Sequence, residues 1–126
     1  MKSDYIQSHR DLLVWQRSMS LVSLIYLATN DFPSREVFGL TAQIRRSAVS
    51  IPSNIAEGRN RSSRKEYRKF IFNALGSAAE LDCQLEIAKN IGLISPVSYE
   101  KLSDEVVVIL KMLKSLSHSL NKLSVS

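Results

Sequence analysis

Residues 102–123, LSDEVVVILKMLKSLSHSLNKL, decide the fold class. Leu102, Val106, Ile109, Leu113, Leu116, Leu120 and Leu123 recur in a 4-3 alternation, which places them along one face of a single helix. Ser95-Pro96 opens that helix and Gly92 closes the one before it. Working back toward the N-terminus, Ser63-Arg64-Lys65-Glu66 reads as a capping box that starts a third helix running to about Asn90. Tyr67, Ile71, Ala74, Ala78, Leu81, Leu85 and Ala88 keep the same alternation there. Leu40, Ile44, Ala48, Ile51 and Ile55 give a second helix, expected to start at Ser34 or soon after. Pro52 lies inside this pattern and removes one backbone hydrogen bond, so a kink near Pro52 is expected. Gly58 reads as a left-handed terminator of the same helix.

Asp11 can cap or charge the start of a first helix that runs to about Thr29, with Leu12, Trp15, Met19, Val22 and Tyr26 on its main apolar face. A second stripe, Val14, Leu21, Ile25 and Ala28, widens that face beyond what one bundle core needs. Surplus of this kind serves either a broad monomer core or a contact with another subunit. Trp15, Tyr26 and Phe38 read as core or interface anchors. No segment alternates with the period of a strand. The expected fold is therefore all-α: an antiparallel up-down-up-down four-helix bundle over residues 10–126, preceded by a flexible tail, residues 1–9.

The totals agree. A chain of 126 residues with 44% hydrophobic and 23% charged residues suits one globular domain, and 4 Gly and 3 Pro are too few for an all-β protein. One cysteine, Cys83, excludes an internal disulfide and fits a reducing compartment. The start, MKSDYIQSHRDLL, has no apolar signal core and no run approaches a membrane span, so a cytoplasmic location without membrane association is expected.

Charge is concentrated. Arg45–Lys69 holds eight basic residues against Glu57 and Glu66, a net of +6 in a chain whose total is +5. Everything else is close to neutral. The candidate nucleic-acid-binding residues are Arg59, Asn60, Arg61, Arg64, Lys65, Arg68 and Lys69, with Arg46 as a further exposed cation. Arg64 and Lys65 occupy a first helical turn, where the backbone dipole favours negative charge. A bound phosphate would reverse that local penalty, because free amides and basic side chains would converge on one anion. A solvated turn is the competing reading. Tyr67 and Phe70 lie on or near the apolar face, so stacking platforms for bases are not expected. Arg45 is expected in a structural ion pair with Glu57 or Glu80.

Several stretches follow the pattern of a known family. They are Asp11-Leu12-Leu13-Val14-Trp15-Gln16, Ile25-Tyr26 with Phe32-Pro33, the run FGLTAQIRRSAVSIPSNIAEG at 38–58, and Gly76-Ser77-Ala78-Ala79-Glu80-Leu81. Over roughly residues 9–94 the chain resembles the bacterial four-helix-bundle proteins encoded in intervening sequences of 23S ribosomal RNA genes. The resemblance implies a bundle, a homopentamer shaped like a barrel, and nucleic-acid binding, RNA before DNA. The family is related to the accessory protein of diversity-generating retroelements, which implies a reverse transcriptase as a partner protein by analogy. It offers no agreed active site.

The residues themselves give little for catalysis. His9 and His118 have no nearby Cys, Asp or Glu at metal-ligand spacing, and no phosphate-binding glycine loop or nucleophile elbow occurs. Cys83 reads as a packed or partly buried thiol. A non-enzymatic chain without cofactor or metal is expected. Its basic end would serve nucleic acid, or dock an acidic partner protein, or only keep the chain soluble.

Overall fold

The computed structural model describes residues 8–36 and 39–125, the side chains of 122–125 excepted. Four helices and no strand occur among them: α1 (Leu13–Thr29), α2 (Leu40–Arg59), α3 (Arg64–Asn90) and α4 (Pro96–Val125). Short 3-10 turns at His9–Asp11 and Ser34–Glu36 precede α1 and α2. Of the expected tail, residues 1–7 lie outside the described residues, as does Phe38. Ser8 and His9 do not trail away, since the Ser8 hydroxyl accepts from Arg10 N at 3.2 Å. The His9 ring meets Trp15 edge-on at 5.1 Å.

Each helix packs on its sequence neighbours and α4 closes against α1. Along the α2–α3 and α3–α4 seams the contacts run in opposite chain order. Arg45 near the start of α2 reaches Thr29 at the end of α1. Ser50 of α2 meets Ser77 of α3 at 2.8 Å, while Gly58 further along α2 meets Phe70 near the start of α3. Ser103 of α4 donates to Asp82 of α3, and Ser117 accepts from Arg68. Arg17 on α1 makes two 2.8 Å bonds to Glu105 on α4. Between these seams lies one apolar core: Ile44, Ile51, Ile55, Ile71, Leu81, Val106, Ile109 and Leu113 are fully buried.

Helix starts and stops follow local chemistry, with some departures from expectation. Ser63 Oγ accepts from Glu66 N at 3.1 Å, the first half of the capping box. Ser95 Oγ does the same for Ser98 N. Gly92, at φ +81°, supplies the left-handed residue after α3. The first helix begins at Leu13 with Leu12 in the cap position, and Asp11, expected to cap or charge its start, is taken into the preceding 3-10 turn. The second begins at Leu40, because Ser34–Glu36 also forms a 3-10 turn. It then runs unbroken through Pro52, which is buried. Gly58 is not a left-handed terminator: it is a buried helical residue without positive φ, and the helix ends one residue later.

The apolar face of α1 is the main correction. The core receives Val14, Ser18, Leu21, Ile25 and Thr29; of the stripe expected to face it, Leu12, Trp15 and Val22 are partly buried and pack against that core, while Met19 and Tyr26 are 44% and 43% exposed. Two of the five core positions carry hydroxyls, and each satisfies itself on its own helix. Ser18 donates to Val14 O at 2.7 Å and Thr29 to Ile25 O at 2.8 Å. With the core face elsewhere, Leu13, Met19, Leu24, Tyr26 and Leu27 are left on the outside of α1.

Candidate nucleic-acid interface

The candidate interface lies where α2 hands over to α3. At this crossing Gly58 is required for closeness: an added Cβ would lie 2.8 Å from Phe70 Cβ and 3.1 Å from the Tyr67 ring. With no side chain there, the first turns of α3 pack directly on the last turn of α2. Asn60 then caps the end of α2, its amide donating to Ala56 O at 2.9 Å, and the chain turns sharply enough for Arg61 N to bond Gly58 O. The basic residues on both sides of the turn are thereby held at one end of the bundle.

They are not equivalent. Arg61 pairs with Glu57 one turn back and lies over the Phe70 ring at 4.8 Å, so its charge is partly engaged within the turn. Arg59 is half-buried near Tyr67. Burial pushes the Tyr67 phenol above its ordinary value, and the positive charge of Arg59 pulls it back. Arg64, Lys65 and Lys69 are exposed. Arg68 is half-buried; its Nε donates to Ser117 O at 3.4 Å, and its guanidinium sits 4.6 Å over the Phe72 ring. Lys65, Arg68 and Lys69 line one open cleft of about 660 Å³ together with Ser63, Glu66, Phe72 and Asn73. Three cations and one carboxylate leave that lining at +2. Beside it, the first amides of α3 have no partner within their own helix except where a cap supplies one.

Arg46 does not join this group. It lies thirteen residues before Arg59 on one helix, about 20 Å along the axis. Its neighbours line a separate cleft of about 400 Å³ between α2 and α3: Gln43, Ser47, Ser50, Ser77, Glu80 and Gln84. The expected ion pair of Arg45 is also absent among the described residues. Arg45 donates to Thr29 Oγ1 at 2.8 Å and covers the Tyr26 ring at 4.4 Å, which satisfies it without a carboxylate. Glu57 is taken by Arg61, and Glu80 shares its cleft with Arg46.

Phe72 is the residue that sequence reasoning missed. It is 48% exposed on the basic face of α3. Positions 65, 68, 69, 72 and 73 follow the i, i+3, i+4, i+7, i+8 spacing of one helical face, and that spacing was the available signal. Cys83, expected to be packed or partly buried, is exposed, because it lies two residues from both Leu81 and Leu85 and so on the opposite side of the helix. Among the described residues no group of three or more His, Cys, Asp or Glu could hold a metal, and no helix is long and apolar enough to cross a membrane.

Comparison with known proteins agrees with this architecture. Among curated proteins nothing matches. A solved structure does: the 1.70 Å crystal structure of a protein of unknown function from the S23 ribosomal protein family of Bacteroides thetaiotaomicron VPI-5482. It is 28% identical, with a TM-score of 0.74 over 83% of this chain and 98% of the other. The family model for the 23S rRNA-intervening sequence protein matches residues 10–115. Covering all but the two ends of the chain, that match identifies it: the protein belongs to the 23S rRNA-intervening sequence protein family.

Proposed function

We propose that this protein is a non-enzymatic, cytoplasmic, homo-oligomeric binder of nucleic acid, RNA in preference to DNA. The observation that carries the reading is the clustering of Lys65, Arg68 and Lys69 around one cleft at the start of α3, with Arg59, Arg61 and Arg64 beside it. Such an end binds a phosphate backbone by releasing counterions, which gives steep salt dependence and little sequence preference. Self-assembly, as a homopentamer, multiplies that charge and gives the exposed apolar residues of α1 a partner. The family description, which names an intervening sequence of 23S rRNA, makes RNA the first ligand to test.

A competition experiment tests this reading. A labelled ribosomal RNA fragment bound to the protein is challenged with unlabelled RNA, duplex DNA or polyglutamate. The reading predicts displacement by RNA at far lower concentration than by polyglutamate. It also predicts loss of binding in the variant Arg59→Glu, Arg61→Glu, Arg64→Glu, Lys65→Glu with helicity and size unchanged. Equal displacement by polyglutamate would overturn it in favour of an acidic protein partner.

A further inference from the structure

A lone exposed phenylalanine is ordinary on a protein surface. Phe72 is not alone. It shares one cleft with Lys65, Arg68, Lys69 and the side-chain amide of Asn73, and the Arg68 guanidinium lies 4.6 Å over its ring. A face built only to hold a phosphate backbone gains from the cations and nothing from the ring. In a duplex the bases stack on one another, and only their edges and the backbone are open to a protein. An unpaired base, by contrast, offers a free π-face to aromatic side chains and to Arg planes.

We propose that this cleft takes one unpaired nucleotide of the bound strand, its base stacked on Phe72. The inference rests on the nucleic-acid reading above and narrows its ligand to single-stranded or looped segments. Lys65 and Lys69, one turn apart on the same face, hold the two flanking phosphates. Arg68 is positioned by Ser117 O and covers one face of the ring, so the base takes the other. Its attraction to the aromatic face strengthens as a bound base excludes water. Asn73 brings both a donor and an acceptor to the cleft, as reading a base edge requires. Glu66 in the lining opposes a phosphate, and the net +2 suits a single nucleotide better than a tract of backbone. The volume, about 660 Å³, falls within the range of roughly 300–1,000 Å³ typical of small-molecule clefts.

The test measures binding of three probes at one salt concentration: oligouridylate, an abasic strand of the same length, and duplex RNA. The proteins are the wild type, Phe72→Ala and Phe72→Tyr. Stacking predicts that Phe72→Ala weakens oligouridylate binding about 5- to 150-fold, while Phe72→Tyr retains it. Wild type and Phe72→Ala should bind the abasic strand alike, and the duplex alike. Oligouridylate binding unaffected by Phe72→Ala overturns the inference and leaves phosphate binding standing. An equal loss toward the abasic strand also overturns it, since Phe72 would then act only through the fold. If the wild type binds none of the three probes, the nucleic-acid reading falls and the inference with it.

Discussion

Alanine at two glycines should move stability in opposite directions. At Gly58 a new Cβ would sit 2.8 Å from Phe70 Cβ and 3.1 Å from both the Tyr67 ring and Tyr67 O. The nearest of these atoms is anchored next to backbone, and one of the others is backbone itself, so relief requires α3 to move off α2. Overpacking of this kind costs about 1–3 kcal/mol. Alanine returns up to about 1 kcal/mol of helix propensity, because Gly58 is a helical residue. The net expectation is a loss of about 0.5–2 kcal/mol. At Gly76 an added Cβ meets nothing within 4 Å, so only the propensity gain operates and stability rises by about 0.5–1 kcal/mol. Urea unfolding followed by helical circular dichroism reads both, at one protein concentration because self-assembly would shift the midpoints. A neutral or stabilising Gly58→Ala would refute the close crossing on which the basic end is built. A destabilising Gly76→Ala would mean that another chain covers that face of α3.

Three further outcomes follow from the same geometry. Leu27, 72% exposed on α1, can be changed to Asp without disturbing the core, and light scattering should then show a smaller assembly with full helicity; an unchanged size would remove α1 from the subunit contact. Ser63→Ala deletes the cap on Glu66 N and should cost about 1 kcal/mol in the urea midpoint, whereas no loss would mean the cap is replaced by solvent. Tyr67 has a folded-state pKa raised by burial, so its contribution is fully present below about pH 10 and declines as pH rises through the folded value. Wild type should therefore lose stability relative to Tyr67→Phe only in alkali; parallel curves would contradict the burial of the phenol.

The bundle was legible because α2, α3 and α4 mark their buried faces with aliphatic residues at helical spacing. Ile44, Ile51 and Ile55, then Ile71, Leu81 and Leu85, then Val106, Ile109 and Leu113 all reach the core. The first helix was harder to read, since Ser18 and Thr29 are buried by bonding their own carbonyls while Met19 and Tyr26 stay outside. A hydroxyl that satisfies itself looks like a surface residue in sequence. Gly58 shows a related limit. Sequence marks a position that tolerates no side chain, but not whether backbone angle or a crossing helix imposes it. For the candidate site, charge alone marks the segment in the sequence. The division of labour was not legible there, because it depends on which helix lies opposite: Arg61 turns to Glu57 and Phe70, and Arg45 to Thr29 and Tyr26. Phe72 escaped because an aromatic residue in a helix is ordinarily assigned to the core.

The central claim is that Lys65 and Lys69 neutralise nucleic-acid phosphates at the start of α3. The most direct measurement is the salt dependence of binding to single-stranded RNA for the wild type and for Lys65→Gln/Lys69→Gln. For single strands the slope of log K against log salt is about −0.7 for each phosphate neutralised, so losing two contacts should make it shallower by about 1.4. A slope unchanged by the double substitution would mean that these lysines touch no phosphate, and that the basic end serves something other than nucleic acid.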